Sequence, residues 1–141
     1  MIDIRALGPG DDEAVVAAQH LFDGPARADA TARFLGEPGS HMLVGYVDGD
    51  PAGFVSGVEV THPDKGTEMF LYELAVDEAH RRRGYGRALI EALEALARER
   101  GCVGMFVFVD DDNGAGRAAY RSAGGTDASR PWMVDWTYDG R

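Results

Sequence analysis

The sequence predicts an α/β (α+β) fold, built as an open mixed sheet of about six strands that is flanked by helices. Residues 42–47 and 52–60 are apolar runs joined by an Asp-Gly turn, which is typical of an antiparallel hairpin. Residues 68–76 and 105–109 are further apolar runs with a helical pattern between them, which predicts parallel strands and a right-handed crossover. The nearly continuous apolar character of residues 68–76 indicates a strand that is buried on both faces.

The remaining elements follow from hydrophobic periodicity and from the turn residues that separate them. In the first half we predict a strand over residues 2–7, a helix that starts at residues 9–11 and runs to about 21, and a second helix that ends near 34–35 and is closed by Gly36. In the second half we predict helices from about 88 to 101 and over 115–123, followed by a strand over 132–138. The longest helix carries one apolar face that suits packing on the sheet: Leu89, Leu93, Leu96 and Ala97.

Length and charge limit the classes of protein to consider. A chain of 141 residues has the size of one domain, here residues 1–141, and buries about two-thirds of its unfolded surface. Its 24 acidic and 14 basic residues give a formal net charge of -10. We therefore expect no nucleic-acid partner, because neutralisation of phosphates dominates that affinity.

Cysteine and histidine usage argues against a disulfide-linked or metal-binding fold. Cys102 is the only cysteine, so we expect no disulfide and a reducing intracellular compartment, the cytoplasm. The four histidines lack the spacing of metal ligands, so we expect no metal: His20, His41, His62 and His80. The sequence contains no apolar run of membrane-spanning length and no signal-peptide pattern, so we expect no membrane partner.

The most informative segment is the seven-residue stretch Arg-Arg-Arg-Gly-Tyr-Gly-Arg from Arg81 to Arg87. It lies between the predicted strand 68–76 and the long helix, so backbone N–H groups, the helix dipole and guanidinium groups converge there. Gly84 and Gly86 let anion oxygens approach the backbone closely. A nucleic-acid patch or a solvated helix start would use the same residue types. The acidity of the chain and the strand-to-helix position favour a phosphate-binding turn.

The residues around this turn resemble the signature of the GNAT superfamily of acetyl-CoA-dependent N-acetyltransferases. Its pattern, Q/R-x-x-G-x-G/A, opens the helix that holds the coenzyme A pyrophosphate, whereas G-x-G-x-x-G and P-loop patterns do not fit this chain. Asn113, Tyr120 and Gly124 keep the N-x6-Y-x3-G spacing of the superfamily. The resemblance spans roughly residues 68–125 and implies acetyl-CoA as cosubstrate, bound by Leu74, Ala75, Val76, Arg81, Arg82, Arg83, Gly84, Tyr85, Gly86, Arg87, Ala88 and Asn113.

The resemblance also implies how acetyl transfer proceeds. In the GNAT fold, the strands predicted to end at Val76 and Val109 splay apart, and the pantetheine arm pairs with the backbone of residues 74–76 in that cleft. Transfer is direct, without an acyl-enzyme, and backbone N–H groups around Ala75 and Val76 face the oxyanion. Cys102 is therefore not needed as a nucleophile, and we interpret it as a small hydrophobic core residue. Tyr120 occupies the position of the general acid, and a phenol with a pKa of about 10 suits that role. Packing of its ring on an amphipathic helix is the alternative.

Two carboxylates are candidates for the base and for attracting the acceptor. Glu73 is the single charge near the end of an apolar strand, where desolvation raises a carboxyl pKa towards a useful value. It would otherwise be a glutamate half in water at a splayed strand end. Asp110 follows the second strand of the cleft and would attract a cationic acceptor. It could equally belong, with Asp111 and Asp112, to a solvated loop that caps a helix.

A narrower resemblance concerns the acceptor. Residues 70–76 with His80-Arg81-Arg82 are similar to the aminoglycoside 3-N-acetyltransferase branch, although Glu73 replaces an aspartate and Gly125 replaces a bulky aromatic residue. We therefore expect acetyl transfer to a primary amine of a small, cationic, aminoglycoside-like acceptor, which would connect the protein with antibiotic resistance. A protein or peptide N-acetyltransferase and a non-catalytic acyl-CoA-binding regulatory module are the alternatives. The sequence leaves a homodimer open.

Overall fold

The computed structural model describes residues 1–129 and 133–138. Its strands are β1 (Asp3–Ala6), β2 (Ser40–Val47), β3 (Asp50–His62), β4 (Gly66–Val76) and β5 (Gly104–Phe106). Its α-helices are α1 (Asp12–Ala17), α2 (Ala28–Gly36), α3 (Tyr85–Glu99) and α4 (Gly114–Ser122), and single 3₁₀ turns lie at Gln19–Leu21 and Glu78–His80. The described part therefore has the mixed α/β character that the sequence predicts.

The strands form one sheet in the order β1-β2-β3-β4-β5. β1 to β4 form an antiparallel meander, and β5 returns parallel to β4 after the crossover helix α3, as predicted. Residues 68–70 of β4 are the part of that strand that pairs with Gly104–Phe106. The carboxyl-terminal half of β4 therefore extends past the end of its neighbour, which opens the sheet between the two strands.

Apolar clusters cover both faces of the sheet. Helix α3 packs on one face through the predicted apolar positions, of which Leu89 and Leu93 are fully buried. Gly57 in β3 permits this close approach, because a Cβ there would lie 3.1 Å from the Leu93 methyl carbons. On the other face Phe54 of β3 is fully buried, and the ring of Phe22, which follows α1, packs edge-on against it at 5.0 Å. This second contact fixes the chain between α1 and α2 over β3.

Two predictions about strands are wrong in the part of the chain that the structure describes. The sheet has five strands there instead of about six, because residues 133–138 adopt no regular structure and pair with no strand. Trp132, at the start of that predicted strand, lies outside the described residues. β5 ends at Phe106 rather than at Val109, since the chain diverges from β4 at that point.

The remaining differences concern boundaries and burial. Helix α3 starts at Tyr85, three residues before the predicted start, and α1 ends at Ala17 before a separate 3₁₀ turn. β4 is not buried on both faces, since Tyr72 is 65% exposed. The register with β3 shifts at this residue, because Ser56 pairs with Glu73 and Gly57 pairs with Leu71. This β-bulge re-aims the end of β4. Among the described residues, no helix is long and apolar enough to cross a membrane.

Candidate active site

A cleft opens where β4 and β5 part, and it encloses a cavity of about 450 Å³. Residues 72–75 of β4 form one wall, and residues 107–110, which continue the chain after β5, form the opposite wall. Leu21 and Asp23 from the connection between α1 and α2 close one side. Asn113 and Tyr120 reach the cavity from the amino terminus and the body of α4. The splayed strands that the sequence predicts are therefore present, with a shorter β5.

Glu73 lies half-buried on the β4 wall of this cavity. Burial raises the pKa of its carboxyl above the ordinary value, and the negative charge of Asp23 raises that pKa further. The predicted direction of the desolvation effect is thus confirmed. A carboxylate whose proton affinity is increased in this way is a better acceptor for the proton of an ammonium group near neutral pH.

Tyr120 lies half-buried on α4, where its ring packs against the apolar cluster beneath α3. Burial raises the pKa of the phenol above its ordinary value, so the hydroxyl keeps its proton through neutral and mildly alkaline pH. The ring packs in the core, as the structural interpretation predicts, and the residue also lines the cavity, where the predicted general acid would have to lie. A protonated phenol in this place is able to donate to a leaving group.

Asp110 lines the cavity from the wall after β5 and is exposed. Asn113 is the residue that caps α4, since its side-chain Oδ1 accepts a 2.9 Å hydrogen bond from the Gly116 N–H. The neighbouring Asp111 and Asp112 do not line the cavity. The structure thus brings Glu73, Asp110 and Tyr120 around one space and separates Asp110 from the two aspartates that follow it.

The predicted phosphate-binding turn joins β4 to α3 at the same end of the strand. Gly84 is the N-cap of α3 with a left-handed φ of +79°, and no side chain caps the first N–H groups of the helix. A Cβ at Gly84 would meet nothing within 4 Å, whereas one at Gly86 would lie 3.8 Å from Cγ2 of Val76. These uncapped N–H groups with open space before them fit the pyrophosphate of coenzyme A.

The four arginines of the turn have different partners. Arg81 Nε donates to the Val76 carbonyl at 3.1 Å, which ties the turn to the end of β4. Arg87 pairs with Glu91 one turn along α3, with Nε 3.4 Å from the carboxylate oxygen. Among the described residues, the exposed side chains of Arg82 and Arg83 make no ion pair or hydrogen bond. These two guanidinium groups are therefore available to neutralise a polyphosphate.

The sequence model of the acetyltransferase (GNAT) family matches residues 13–124. The chain belongs to this family. The match confirms the family that the turn and its motif indicate.

Relatives with known activities differ in the molecule they acetylate. The mycothiol acetyltransferase of Clavibacter sepedonicus is 41% identical over 83 residues, which are 59% of this chain and 24% of that protein. The L-2,4-diaminobutyric acid acetyltransferase of Streptomyces coelicolor is 32% identical over 75 residues, 52% of this chain and 43% of that protein. The chain thus matches less than half the length of either relative.

Solved structures agree with the GNAT fold over nearly the whole chain. An aminoglycoside acetyltransferase from an uncultured soil metagenomic sample, crystallised with trehalose, superposes with a TM-score of 0.89. The superposition covers 98% of this chain and 97% of the aminoglycoside acetyltransferase chain, at 20% sequence identity. At this identity the similarity concerns the fold, and it confirms the predicted fold class.

Sequence reasoning missed the side of the GNAT cavity that lies nearest α1. Asp23 belongs to no motif, and the sequence around it indicates only a loop before Gly24 and Pro25. Two cavity-lining aromatic residues, Tyr72 and Phe108, also escaped notice, because isolated aromatics in apolar runs normally indicate core positions. Their exposed fractions, 65% and 62%, separate them from core residues.

Cys102 lies away from the cavity, as its interpretation as a core residue requires. The thiol is partly buried against the apolar cluster of α3, and burial raises its pKa, with the Glu59 charge adding to the effect. A thiol held in its protonated form is a poor nucleophile. Within the described part of the chain, no group of three or more His, Cys, Asp or Glu side chains could hold a metal ion.

Proposed function

We propose that this acetyltransferase moves the acetyl group of acetyl-CoA directly to a primary amine of a small cationic acceptor. The observation that carries the proposal is the pairing of Glu73 and Tyr120 in one cavity. Burial raises both pKa values, so the carboxyl becomes a better proton acceptor while the phenol stays a donor. An amine that attacks a thioester needs a base for its own proton and an acid for the departing sulfur.

Acetyl-CoA supplies an activated acetyl thioester. The turn would bind its pyrophosphate through the first N–H groups of α3 and through the guanidinium groups of Arg82 and Arg83. The backbone of residues 74–76, which extends past the end of β5, would align the pantetheine arm like an added strand. Asn113 already caps α4, so its contribution to cofactor binding would come from its position on the cavity wall.

Proton transfer follows from the same residues. Glu73, directly or through a water molecule, takes a proton from the acceptor ammonium, and the freed nitrogen lone pair attacks the acetyl carbonyl carbon. Backbone N–H groups around Ala75 and Val76 would face the oxygen that gains charge. When the carbon–sulfur bond breaks, Tyr120 gives its phenolic proton to the sulfur and takes the second proton of the attacking nitrogen, while Glu73 releases the first proton to solvent. The products are an amide and coenzyme A with a free thiol.

The charge of the cavity supports a cationic acceptor. Among the described residues, the carboxylates that line it are Asp23, Glu73 and Asp110, and none of the described lining residues is Lys, Arg or His. Such a surface attracts ammonium groups and repels anionic acceptors. The aminoglycoside acetyltransferase with the same fold supports an aminoglycoside-like acceptor. The diaminobutyric acid enzyme among the relatives supports a smaller acceptor that also carries amino groups.

The test is a thiol-release assay with acetyl-CoA and a panel of amines that includes aminoglycosides, short polyamines and peptides. We expect turnover of small cationic amines, and the Glu73→Gln variant should lower it roughly 10²–10⁴-fold, the usual contribution of an acid–base residue. Glu68→Gln, the same change on the same strand but away from the cavity, is the matched control. Thermal stabilisation by acetyl-CoA should persist in both variants.

Three results would contradict the proposal. Turnover of Glu73→Gln within about threefold of the parent enzyme would remove this residue from the reaction. Stabilisation by acetyl-CoA without acetylation of any amine would favour a non-catalytic acyl-CoA-binding module. Selective turnover of peptides would place the protein among the peptide N-acetyltransferases instead.

A further inference from the structure

We propose that Asp23 binds a second cationic group of the acceptor, so that the preferred substrates are diamines in which one nitrogen reacts and another stays bound. This inference rests on the proposed function, because it concerns the specificity of the same cavity. It assigns a role to a residue on the connection between α1 and α2 that no sequence motif marks.

The first argument is that the connection holds Asp23 in place. The Gln19 side-chain Oε1 accepts a 3.0 Å hydrogen bond from the Ala26 N–H, which closes the loop around Asp23. The ring of Phe22, the preceding residue, is anchored edge-on against the buried ring of Phe54. A loop tied at both positions holds the backbone of the exposed Asp23 beside the cavity, which lowers the entropy cost of ordering the loop when a ligand binds there.

The second argument concerns charge. Asp23 has no hydrogen-bond or ion-pair partner among the described residues, and its negative charge acts on Glu73 strongly enough to raise the pKa of that carboxyl. Two like charges facing one cavity repel each other, and a cation between or beside them relieves the repulsion. The unpaired Asp23 carboxylate therefore has a charge that a substrate ammonium group complements.

The third argument is the arrangement around the reacting position. Phe22 holds the Asp23 loop over β3, Glu73 lies on β4, and Asp110 continues from β5, so Glu73 has a carboxylate on each side. The exposed rings of Tyr72 and Phe108 line the same cavity and add faces that attract cations. A single ammonium group at Glu73 leaves Asp23 unpaired, whereas a diamine satisfies both.

The experiment compares 1,4-diaminobutane with 1-aminobutane, which has the same carbon chain and one amino group fewer. We expect the parent enzyme to favour the diamine in kcat/KM, and Asp23→Asn to lower the diamine-to-monoamine ratio about tenfold, the effect of losing one charge-assisted hydrogen bond. Asp112→Asn removes the same charge from an exposed residue that does not line the cavity, and its ratio should equal that of the parent.

A second measurement keeps this inference separate from the proposed function. Calorimetric binding of 1,4-diaminobutane to the protein saturated with coenzyme A reports on Asp23 even if no amine is acetylated. If no amine is acetylated, weaker diamine binding by Asp23→Asn, with Asp112→Asn unchanged, supports the role of Asp23. An unchanged kcat/KM ratio in Asp23→Asn, or diamine binding equal to that of the parent, would overturn it.

Discussion

The proposed phosphate-binding turn allows a sharp test, because α3 has a glycine of the same backbone conformation at each end. Gly84 at its start has a φ of +79°, and Gly101 just past its end has a φ of +82°. A Cβ at either position would meet no atom within 4 Å. Replacing either residue by alanine therefore adds left-handed backbone strain without a clash, and only Gly84→Ala places a methyl group beside the proposed phosphate site.

The strain sets the expected loss of stability. A left-handed conformation costs an L-residue about 1–2 kcal/mol. The unfolding entropy of a chain of 141 residues corresponds to about 0.3 kcal/mol per degree, so each variant should melt about 3–7 °C below the parent. Equal losses in Gly84→Ala and Gly101→Ala would show that the two substitutions disturb the fold to the same extent.

The cofactor then separates the two variants. Acetyl-CoA at 100 times its Kd stabilises the folded protein by about 2.7 kcal/mol, or roughly 9 °C for this chain. A tenfold loss of affinity in Gly84→Ala would remove about 1.3 kcal/mol of that stabilisation, roughly 4 °C, while Gly101→Ala should keep the full shift. Differential scanning fluorimetry over a series of acetyl-CoA concentrations measures both quantities. The same acetyl-CoA shift in both variants would refute phosphate binding at this turn.

Two further predictions concern the phenol and a charge cluster outside the cavity. Tyr120→Phe keeps the packed ring and removes the proton donor, so turnover should fall roughly 10²–10⁴-fold while the rise in melting temperature on adding acetyl-CoA persists. A fall in turnover smaller than about threefold would leave this residue a packing role alone. Burial favours a higher Glu59 pKa, but hydrogen bonds from His41 at 2.6 Å and Arg100 at 2.8 Å outweigh it and lower that pKa. The Glu59 carboxylate therefore stabilises the fold at pH values above the ordinary pKa of glutamate, and this stabilisation is lost as the pH falls through the lowered pKa. Glu59→Gln should melt about 3–6 °C below the parent at pH 7, and the difference in melting temperature should disappear in acid. Exposed Glu99→Gln is its control, and equal melting of the two variants at pH 7 would contradict this account.

Much of the fold could be predicted from the sequence because local pattern and tertiary packing agree in its centre. The spacing of Leu89, Leu93 and Ala97 specifies one helix face, and these residues are buried against the sheet as predicted. The pattern failed where a tertiary contact decides the outcome. Residues 107–109 are as apolar as a strand, but they follow β5 beyond the point where it parts from β4. They line the cavity there and do not pair with β4. Apolar alternation in residues 133–138 specifies a strand only where a sheet edge receives it.

The residues of the candidate site also divide into those that the sequence predicts and those that depend on tertiary contacts. The Gly84 turn is encoded locally, since a left-handed N-cap requires a glycine and the arginines are its sequence neighbours. Glu73 could be predicted because a charge in an apolar strand conflicts with its surroundings. Asp23 could not, since its place beside Glu73 depends on the packing of Phe22 on Phe54, two residues 32 positions apart in the chain. Contacts of this range leave no periodic signal in the sequence.

The bulge at Tyr72 is a local irregularity of β4 that decides which side chains of this strand face the cavity. If Tyr72 paired regularly with β3, strand alternation would place Glu73 on the same face as the buried side chains of Met69 and Leu71, beneath α3. With it, Leu74 and Val76 return to the α3 cluster, while Glu73 and Ala75 turn to the face that carries Phe54 and the Asp23 loop. The bulged conformation of Tyr72 thus keeps the core beneath α3 apolar and brings Glu73 into the cavity. The bulge at Tyr72 is therefore the local feature on which the position of Glu73 in the cavity depends.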